Sequence, residues 1–287
     1  MTGLSLLRKT LRDNRGATIG VSVANALIAL FVTLAYPSFQ SALADYQFPD
    51  FLRGFLGEAG AASYGTFEGF LTVELFSWLP MLLIVLAIIG GTATLAGEES
   101  AGTLDLVLAQ PVKRGRVVLE KAAGLAIALT VAALASLLGF VTALLFIDFS
   151  IPFQHVAVAV LNTLPLALLF LGLSLWAAAI LPSRAAAAML VIGVTVTTYF
   201  FNLIGGAVES VSFLRKLSPF YWADASHVLL QGFDWARAGG FLVLAGVCLL
   251  LALWSFERRD IAVGARMWRA RPPRPHLSGP ARRREAA

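Results

Sequence analysis

The residues whose types and spacing could support a specific activity form one polar segment, Gly97 to Lys121, between two strongly apolar runs. The segment reads GEESAGTLDLVLAQPVKRGRVVLEK. It starts with two adjacent carboxylates, Glu98 and Glu99, continues with a short apolar stretch and ends with a basic cluster. This order of charges around apolar residues predicts a surface that binds a soluble partner.

The middle of this segment is predicted to form a short helix. Leu104, Val107 and Leu108 follow the i, i+3, i+4 spacing and therefore share one helical face. Pro111 ends the helix, because proline lacks a backbone N–H and clashes with the preceding turn. We expect this helix to lie across the cytoplasmic end of two membrane spans. The alternative is an ordinary cytoplasmic loop that only carries orienting positive charge.

The order of residues in the segment resembles the first cytoplasmic loop of type-2 ATP-binding-cassette (ABC) permeases, the membrane subunits of ABC exporters. That family pattern runs roughly E-E-x-x-G-T-L-x-x-L-L-x-x-P-V-x-R, followed by a basic residue that enters the next span. This chain departs from the pattern at Val107, where the family often has Leu, and at Lys113, where a small polar residue is common.

The resemblance implies that the segment is a coupling helix that docks on a nucleotide-binding subunit. The residues to which this role is carried over are Glu98, Glu99, Gly102, Thr103, Leu104, Val107, Leu108, Pro111 and Arg114. A second stretch, Leu214 to Trp222, resembles the re-entrant hairpin that precedes the last span in the same family.

The composition indicates a polytopic membrane protein. The 287 residues are 58% hydrophobic and 14% charged, whereas soluble domains carry about 25% charged residues. The mean hydropathy is +0.79. The net charge of +5 does not indicate nucleic-acid binding, because the charges lie in short segments between apolar runs. The single cysteine, Cys248, excludes an internal disulfide.

We therefore expect an all-α fold with six membrane spans, since a span needs about 20 mostly apolar residues. The predicted spans are 17–36, 75–96, 122–146, 156–181, 185–204 and 238–256. An outer loop covers 37–74 and the coupling segment covers 97–121. The tail, 261–287, is basic and too polar to bury a core.

The N-terminal residues 1–16 are predicted to form an amphipathic helix in the membrane interface. Its two stripes are formed by Leu4, Leu7 and Leu11 and by Arg8, Arg12 and Arg15. A signal peptide is the competing interpretation, but the apolar run that follows is long enough to span and further spans come after it.

The distribution of basic residues predicts the orientation. Eighteen of the 22 lysines and arginines fall in the N-terminal segment, the coupling segment, the turn at Arg184 and the tail. By the positive-inside rule these parts, and both termini, are cytoplasmic. We expect the chain in the plasma membrane.

Several kinds of catalytic machinery are absent from the sequence. There is no G-x-x-x-x-G-K-[ST] loop to cradle nucleotide phosphates and no H-E-x-x-H metal motif. The stretch around Ser174 lacks the second glycine of a nucleophile elbow. We expect no catalytic residue, cofactor or metal on this chain. The resemblance implies that ATP and Mg²⁺ bind to the partner ATPase.

The predicted spans contain no Asp, Glu, Lys or Arg in their interiors, which argues against an ion-coupled carrier. Some polar residues lie at depth, and they either line a translocation path or form hydrogen bonds between helices. These residues are Asn25, Asn162, Thr198 and Asn202.

The resemblance implies the membrane-spanning permease subunit of an ABC exporter, which uses ATP hydrolysis by a separate subunit. Its implied partners are two copies of the ATP-binding subunit and a second permease copy, in a homodimer or heterodimer. The lipid bilayer surrounds it, and no nucleic acid is bound. The alternatives are a non-transporting membrane scaffold that recruits a cytoplasmic partner and an ion-coupled secondary transporter.

Overall fold

The computed structural model describes residues 5–44, 63–97, 114–148, 151–223, 228 and 233–258, and every regular element in these ranges is helical. This confirms the all-α prediction. The helices are α1 Ser5–Asp13, α2 Arg15–Ala44, α3 Phe67–Glu74, α4 Leu79–Thr92, a π-helix at Ala93–Gly97, α5 Arg114–Leu144, α6 Phe153–Ile180, α7 Arg184–Ala207, a short 3₁₀ helix at Glu209–Val211, α8 Phe213–Leu217, α9 Pro219–Trp222 and α10 Trp235–Arg258.

Six apolar helical units are long enough to cross a membrane, as predicted. Five of them are single helices, namely α2, α5, α6, α7 and α10. The remaining unit, Phe67–Thr92, combines α3 and α4. Helices are the expected solution, because each backbone N–H and C=O in a bilayer must be bonded within the protein.

The α3–α4 unit is interrupted by a turn at residues 75–78. Pro80 lies in the first turn of α4, so it begins this helix and does not kink its interior. Proline suits this position because its missing N–H would have no helical partner there.

Several helices extend beyond the stretches expected from hydropathy, most of all α2 and α5. Helix α2 passes through Pro37 and ends at Ala44, inside the predicted outer loop. Helix α5 begins at Arg114, inside the predicted coupling segment. Hydropathy marks where a chain becomes polar, whereas a helix continues as long as its backbone bonds and side chains permit.

Helix α6 forms the centre of the bundle and packs against α4, α5, α7 and α10. About half of the apolar window is buried in the α3–α4 unit, in α5 and in α6, at 50, 50 and 56%. The corresponding shares are only 17, 11 and 17% in α2, α7 and α10. These three outer helices therefore present long apolar faces away from the core.

Helix α2 is held against α5 by a close backbone approach. A side chain at Gly139 would collide with the backbone of Ala26, so only glycine permits this packing. Asn25 on α2 is buried and donates from Nδ2 to the carbonyl of Ala132 on α5 at 2.9 Å. Small residues and interhelical hydrogen bonds are the usual basis of helix association in membranes.

The two ends of the bundle carry different features. The terminal end holds α1, the π-helix, the start of α5 and the end of α10. The distal end holds the start of α4, the end of α7, and helices α8 and α9. We use these two names below.

Candidate functional site

The structure describes the two anchors of the predicted coupling helix. Of the nine residues assigned to it, Arg114 is described as the half-buried first residue of α5. The other eight lie outside the described residues, and they are Glu98, Glu99, Gly102, Thr103, Leu104, Val107, Leu108 and Pro111. The π-helix precedes this stretch and α5 follows it, so both elements determine where the stretch is attached.

Lys121 links the two anchors. It lies two turns inside α5, is only 2% exposed, and donates from Nζ to the backbone carbonyl of Thr94 in the π-helix. A buried ammonium is costly unless it is hydrogen-bonded. Here the bond also satisfies a carbonyl near the end of a helix, where a positive charge is favourable.

Lys121 directly precedes the predicted third span, and its burial was not expected from the sequence. The predicted third span began at residue 122, whereas α5 starts at Arg114 and includes Lys121. The sequence did hold a signal, since Lys121 directly precedes an apolar run. The position of Lys121 in the sequence does not show that its side chain bonds to a carbonyl far away along the chain. Because the partner is a backbone atom at the terminal end, we interpret Lys121 as an anchor of the helices.

Helix α1 packs on the same part of α5. A methyl group at Gly124 would lie 3.1 Å from Thr10 Cβ and 3.3 Å from the carbonyl oxygen of Leu7. Leu6, Thr10 and Asn14 are buried, whereas the predicted leucine stripe is only half-buried at Leu7 and Leu11. The close approach to Gly124 favours the smaller Thr10 at the centre of the contact.

The polar residues of this contact are satisfied within α1. Thr10 Oγ1 donates to the carbonyl of Leu6 at 2.9 Å, and Asn14 Nδ2 donates to the carbonyl of Thr10 at 2.9 Å. Their polar atoms are thus paired locally, and the remaining surface can pack on α5. The exposed face of α1 carries Arg8, Lys9 and Arg12.

The start of α5 also meets the end of α10. A methyl group at Gly115 would lie 3.1 Å from Glu257 Oε1 and 3.6 Å from Leu253 Cδ2. On the open side of α5, Arg116 Nε pairs with Glu120 Oε1 at 2.8 Å. The terminal end therefore combines a buried anchor with a charged rim around the attachment of residues 98–113.

The structure places the four predicted path residues in different surroundings. Asn25 bonds to α5, as described above, and Thr198 Oγ1 donates to the carbonyl of Val194 within α7 at 2.8 Å. Asn162 lines a small cavity beside Trp222 and Arg237.

Asn202 faces a larger cavity at the distal end, and its Oδ1 is buried without a hydrogen bond to the described part of the chain. The same cavity contains Arg215, which the sequence reasoning did not select. In the sequence it lies in the stretch that resembles a re-entrant hairpin, and it is a basic residue on the side assigned as poor in Lys and Arg.

Across the ranges that the structure covers, no three His, Cys, Asp or Glu residues lie together in a way that could hold a metal ion. The features that stand out at the terminal end are anchoring contacts and exposed charges. This arrangement fixes the π-helix and α5 to each other beside exposed charges.

Comparisons with known proteins agree with this arrangement. The family described as "ABC-2 family transporter protein" matches residues 6–261, which include all six apolar helical units and the stretch between α4 and α5. The chain is also similar to the "Probable ABC transporter permease protein NosY" of Pseudomonas aeruginosa. The two are 32% identical over 248 residues, which cover 74% of this chain and 86% of that protein. The chain therefore belongs to the ABC-2 transporter family, as a membrane-spanning permease subunit of an ABC transporter.

Proposed function

We propose that the chain moves its substrate out of the cell, driven by ATP that is hydrolysed on a separate subunit docked at residues 98–113. The observation that carries this proposal is the anchor at the terminal end. Lys121 joins the π-helix to α5, so both ends of the docking stretch are held by one buried contact.

The anchor supports a mechanical role for the docking stretch. When a bound ATPase moves, a stretch with two fixed ends displaces α4 and α5 together. Both helices pack on α6, the centre of the bundle, and α1 rests on the root of α5. Movement at the terminal end can then reach the distal end through packed helices, because close-packed interiors transmit displacement.

The docking chemistry follows from the family resemblance. Leu104, Val107 and Leu108 would enter an apolar groove on the ATPase, and Glu98, Glu99 and Arg114 would form ion pairs around it. Gly102 and Thr103 would begin the helix and Pro111 would set its angle to α5. ATP and Mg²⁺ would be held by the ATPase, with no cofactor on this chain.

Charge supports the orientation. The terminal end of the described chain carries Arg8, Lys9, Arg12, Arg15, Arg114, Arg116, Lys121, Arg184 and Arg258, whereas the distal end carries Arg215, Lys216 and Arg237. Such asymmetry favours a cytoplasmic terminal end in the plasma membrane. The docking stretch then faces the compartment that contains ATP.

The exposed apolar faces support a dimer. Helices α2, α7 and α10 bury less than a fifth of their apolar windows within one chain. Lipid would cover part of these faces, and we propose that a second permease copy covers another part. Each copy, identical or not, would carry one ATPase. The translocation path that we propose keeps three of the predicted residues, namely Asn162, Thr198 and Asn202. For Asn25 both alternatives remain, a place in the path or a hydrogen bond that joins helices.

The double variant Glu98→Lys, Glu99→Lys tests the docking assignment. We expect it to fold normally but to lose most of the vanadate-sensitive ATPase that co-purifies with the tagged full chain from native membranes, because both charges that face the partner are reversed. The matched control is Glu209→Lys, which makes the same change on an exposed residue at the distal end.

Three outcomes would contradict the proposal. Normal ATPase recovery and normal transport in the double variant would exclude these carboxylates from docking. A wild-type chain that purifies without any ATPase would favour the scaffold. Transport that collapses with the proton gradient while ATP remains would favour the ion-coupled carrier.

A further inference from the structure

The distal end contains a cavity that the proposed coupling does not use. It has a volume of about 120 Å³ and lies between the start of α4, the end of α7, and helices α8 and α9. This is room for about four water molecules at their liquid volume, or for one phosphate group. The lining residues that matter here are Ser77, Tyr199, Asn202, Arg215, Phe220 and Tyr221.

Arg215 is the charged residue among the described residues that line this cavity. Its guanidinium lies over the ring of Tyr221, with 4.9 Å between the guanidinium carbon and the ring centroid. Its Nε is buried and has no hydrogen bond to the part of the chain that is described. Because water cannot reach Nε, the guanidinium meets a ligand in the cavity through its terminal N–H groups, and a cation favours a negatively charged acceptor.

The other polar groups of the cavity are compatible with such an acceptor. Asn202 lines the cavity, and its amide carries two N–H donors. The hydroxyl groups of Tyr199, Tyr221 and Ser77 line the same space and can donate. No carboxylate is present among the described lining residues, so nothing there repels an anion.

The close backbone approach at Gly205 places Arg215 at the cavity. A methyl group at Gly205 would lie 2.6 Å from the backbone nitrogen of Arg215 and 3.0 Å from its Cβ. Only glycine therefore allows α8 to approach the end of α7 this closely. On the next short helix, Phe220 packs between Tyr199 and Phe170, with ring centroids 5.6 and 5.9 Å apart.

The cavity reaches inward from the distal end. Asn202 lies near the end of α7, whereas Pro80 follows the turn inside the α3–α4 unit and Leu166 lies in the middle of α6. Apolar side chains such as Phe76 and Met81 form the remaining wall.

We propose that this cavity binds a phosphate group through Arg215, with Asn202 and the tyrosine hydroxyls as further partners. The phosphate can belong to a lipid headgroup or be free in solution, since both present the same oxyanion. The site does not depend on ATP or on the docked ATPase, so it can be tested without either.

The test measures lipid binding by the purified, delipidated full chain in detergent, by native mass spectrometry without nucleotide. The probe is dimyristoyl phosphatidylglycerol, and dimyristoylglycerol, which lacks the phosphate, is the comparison lipid. We expect the phospholipid to bind and Arg215→Gln to weaken it by about tenfold or more, as for a lost hydrogen bond to a charged group. Lys216→Gln removes the neighbouring exposed charge and should change the affinity by less than about twofold.

A second variant distinguishes a loss of phosphate binding from misfolding of the Arg215→Gln variant. Ser77→Trp leaves Arg215 in place and fills the mouth of the cavity, because Ser77 is exposed there. It should also weaken phospholipid binding. Competition by inorganic phosphate would show that the free anion suffices, and its failure to compete would show that the lipid form is preferred. Both results support the phosphate site.

The proposal is overturned if Arg215→Gln and Lys216→Gln bind phosphatidylglycerol equally while Ser77→Trp has no effect. It is also overturned if dimyristoylglycerol binds as tightly as the phospholipid. Neither result would bear on the docking of the ATPase, which is tested at the opposite end of the molecule.

Discussion

The two ends of the bundle differ in the hydrogen bonding of a buried basic group. At the terminal end, Lys121 is almost fully buried and donates to the carbonyl of Thr94. At the distal end, the Nε of Arg215 is buried without a hydrogen bond to the described residues. The bonded lysine holds two helices together, whereas the arginine lines the cavity for which we propose a phosphate group.

This difference also separates two functions in space. The terminal end offers rigid attachment, because α1, α4 and α5 meet around Lys121 and Gly124. The distal end offers an opening, because the turn before α4 and the short helices α8 and α9 leave a cavity. In the proposed function both properties are needed. The ATPase applies force at the rigid terminal end, and the cargo or lipid binds at the more open distal end.

The most direct test of this comparison is to replace Lys121 and Arg215, each in its own variant, with methionine, which is a flexible apolar residue. We expect Lys121→Met to lower the free energy of unfolding by about 1.5–3 kcal/mol, because it removes a charged donor from a buried carbonyl. We expect Arg215→Met to change it by less than about 1 kcal/mol, mainly through the lost stacking on Tyr221. Thermal unfolding in detergent, without added phospholipid, measures both. Equal destabilisation by the two substitutions would contradict the comparison.

A smaller effect is expected at the contact between α1 and α5. Gly124→Val should destabilise the protein by about 1–2 kcal/mol, since a larger side chain there meets Thr10 and Leu7. We also expect weaker coupling of the ATPase, because α1 no longer supports the root of α5. The matched control is Gly193→Val on α7, where nothing lies within 4 Å of the added group. Limited proteolysis of α1 and the melting temperature would reveal the change, and identical behaviour of the two variants would argue against α1 as a support.

The smallest effect is expected at the charged rim. Arg116→Ala removes the ion pair with Glu120, and the Arg116 side chain is 56% exposed. Because such i, i+4 pairs contribute about 0.3–0.5 kcal/mol, we expect almost no change in melting temperature. A loss of stability comparable to that of Lys121→Met would show that the rim, and not the buried bond, holds the anchors.

Part of the candidate site could be predicted from the sequence. The segment from Gly97 to Lys121 was selected by its charges, its amphipathic spacing and its proline, all of which are local properties. The assignment of Glu98, Glu99 and the apolar face to docking stays a prediction, since these residues lie outside the described part. The burial of Lys121 and the cavity around Arg215 were missed, because each depends on elements that are distant in the chain.

The sequence by itself determined the class of this protein. Six apolar stretches of sufficient length require membrane spans, and a bilayer requires that such spans bond their own backbone, so an all-helical bundle follows. Only the tertiary structure decided which polar groups are paired. Thr94 meets Lys121 across 27 positions, and Ser77 shares a cavity with Arg215 from a much more distant part of the chain. Periodicity and composition describe neighbours along the chain, whereas these contacts arise from the packing of whole helices, which the close approaches at Gly139, Gly124 and Gly205 permit.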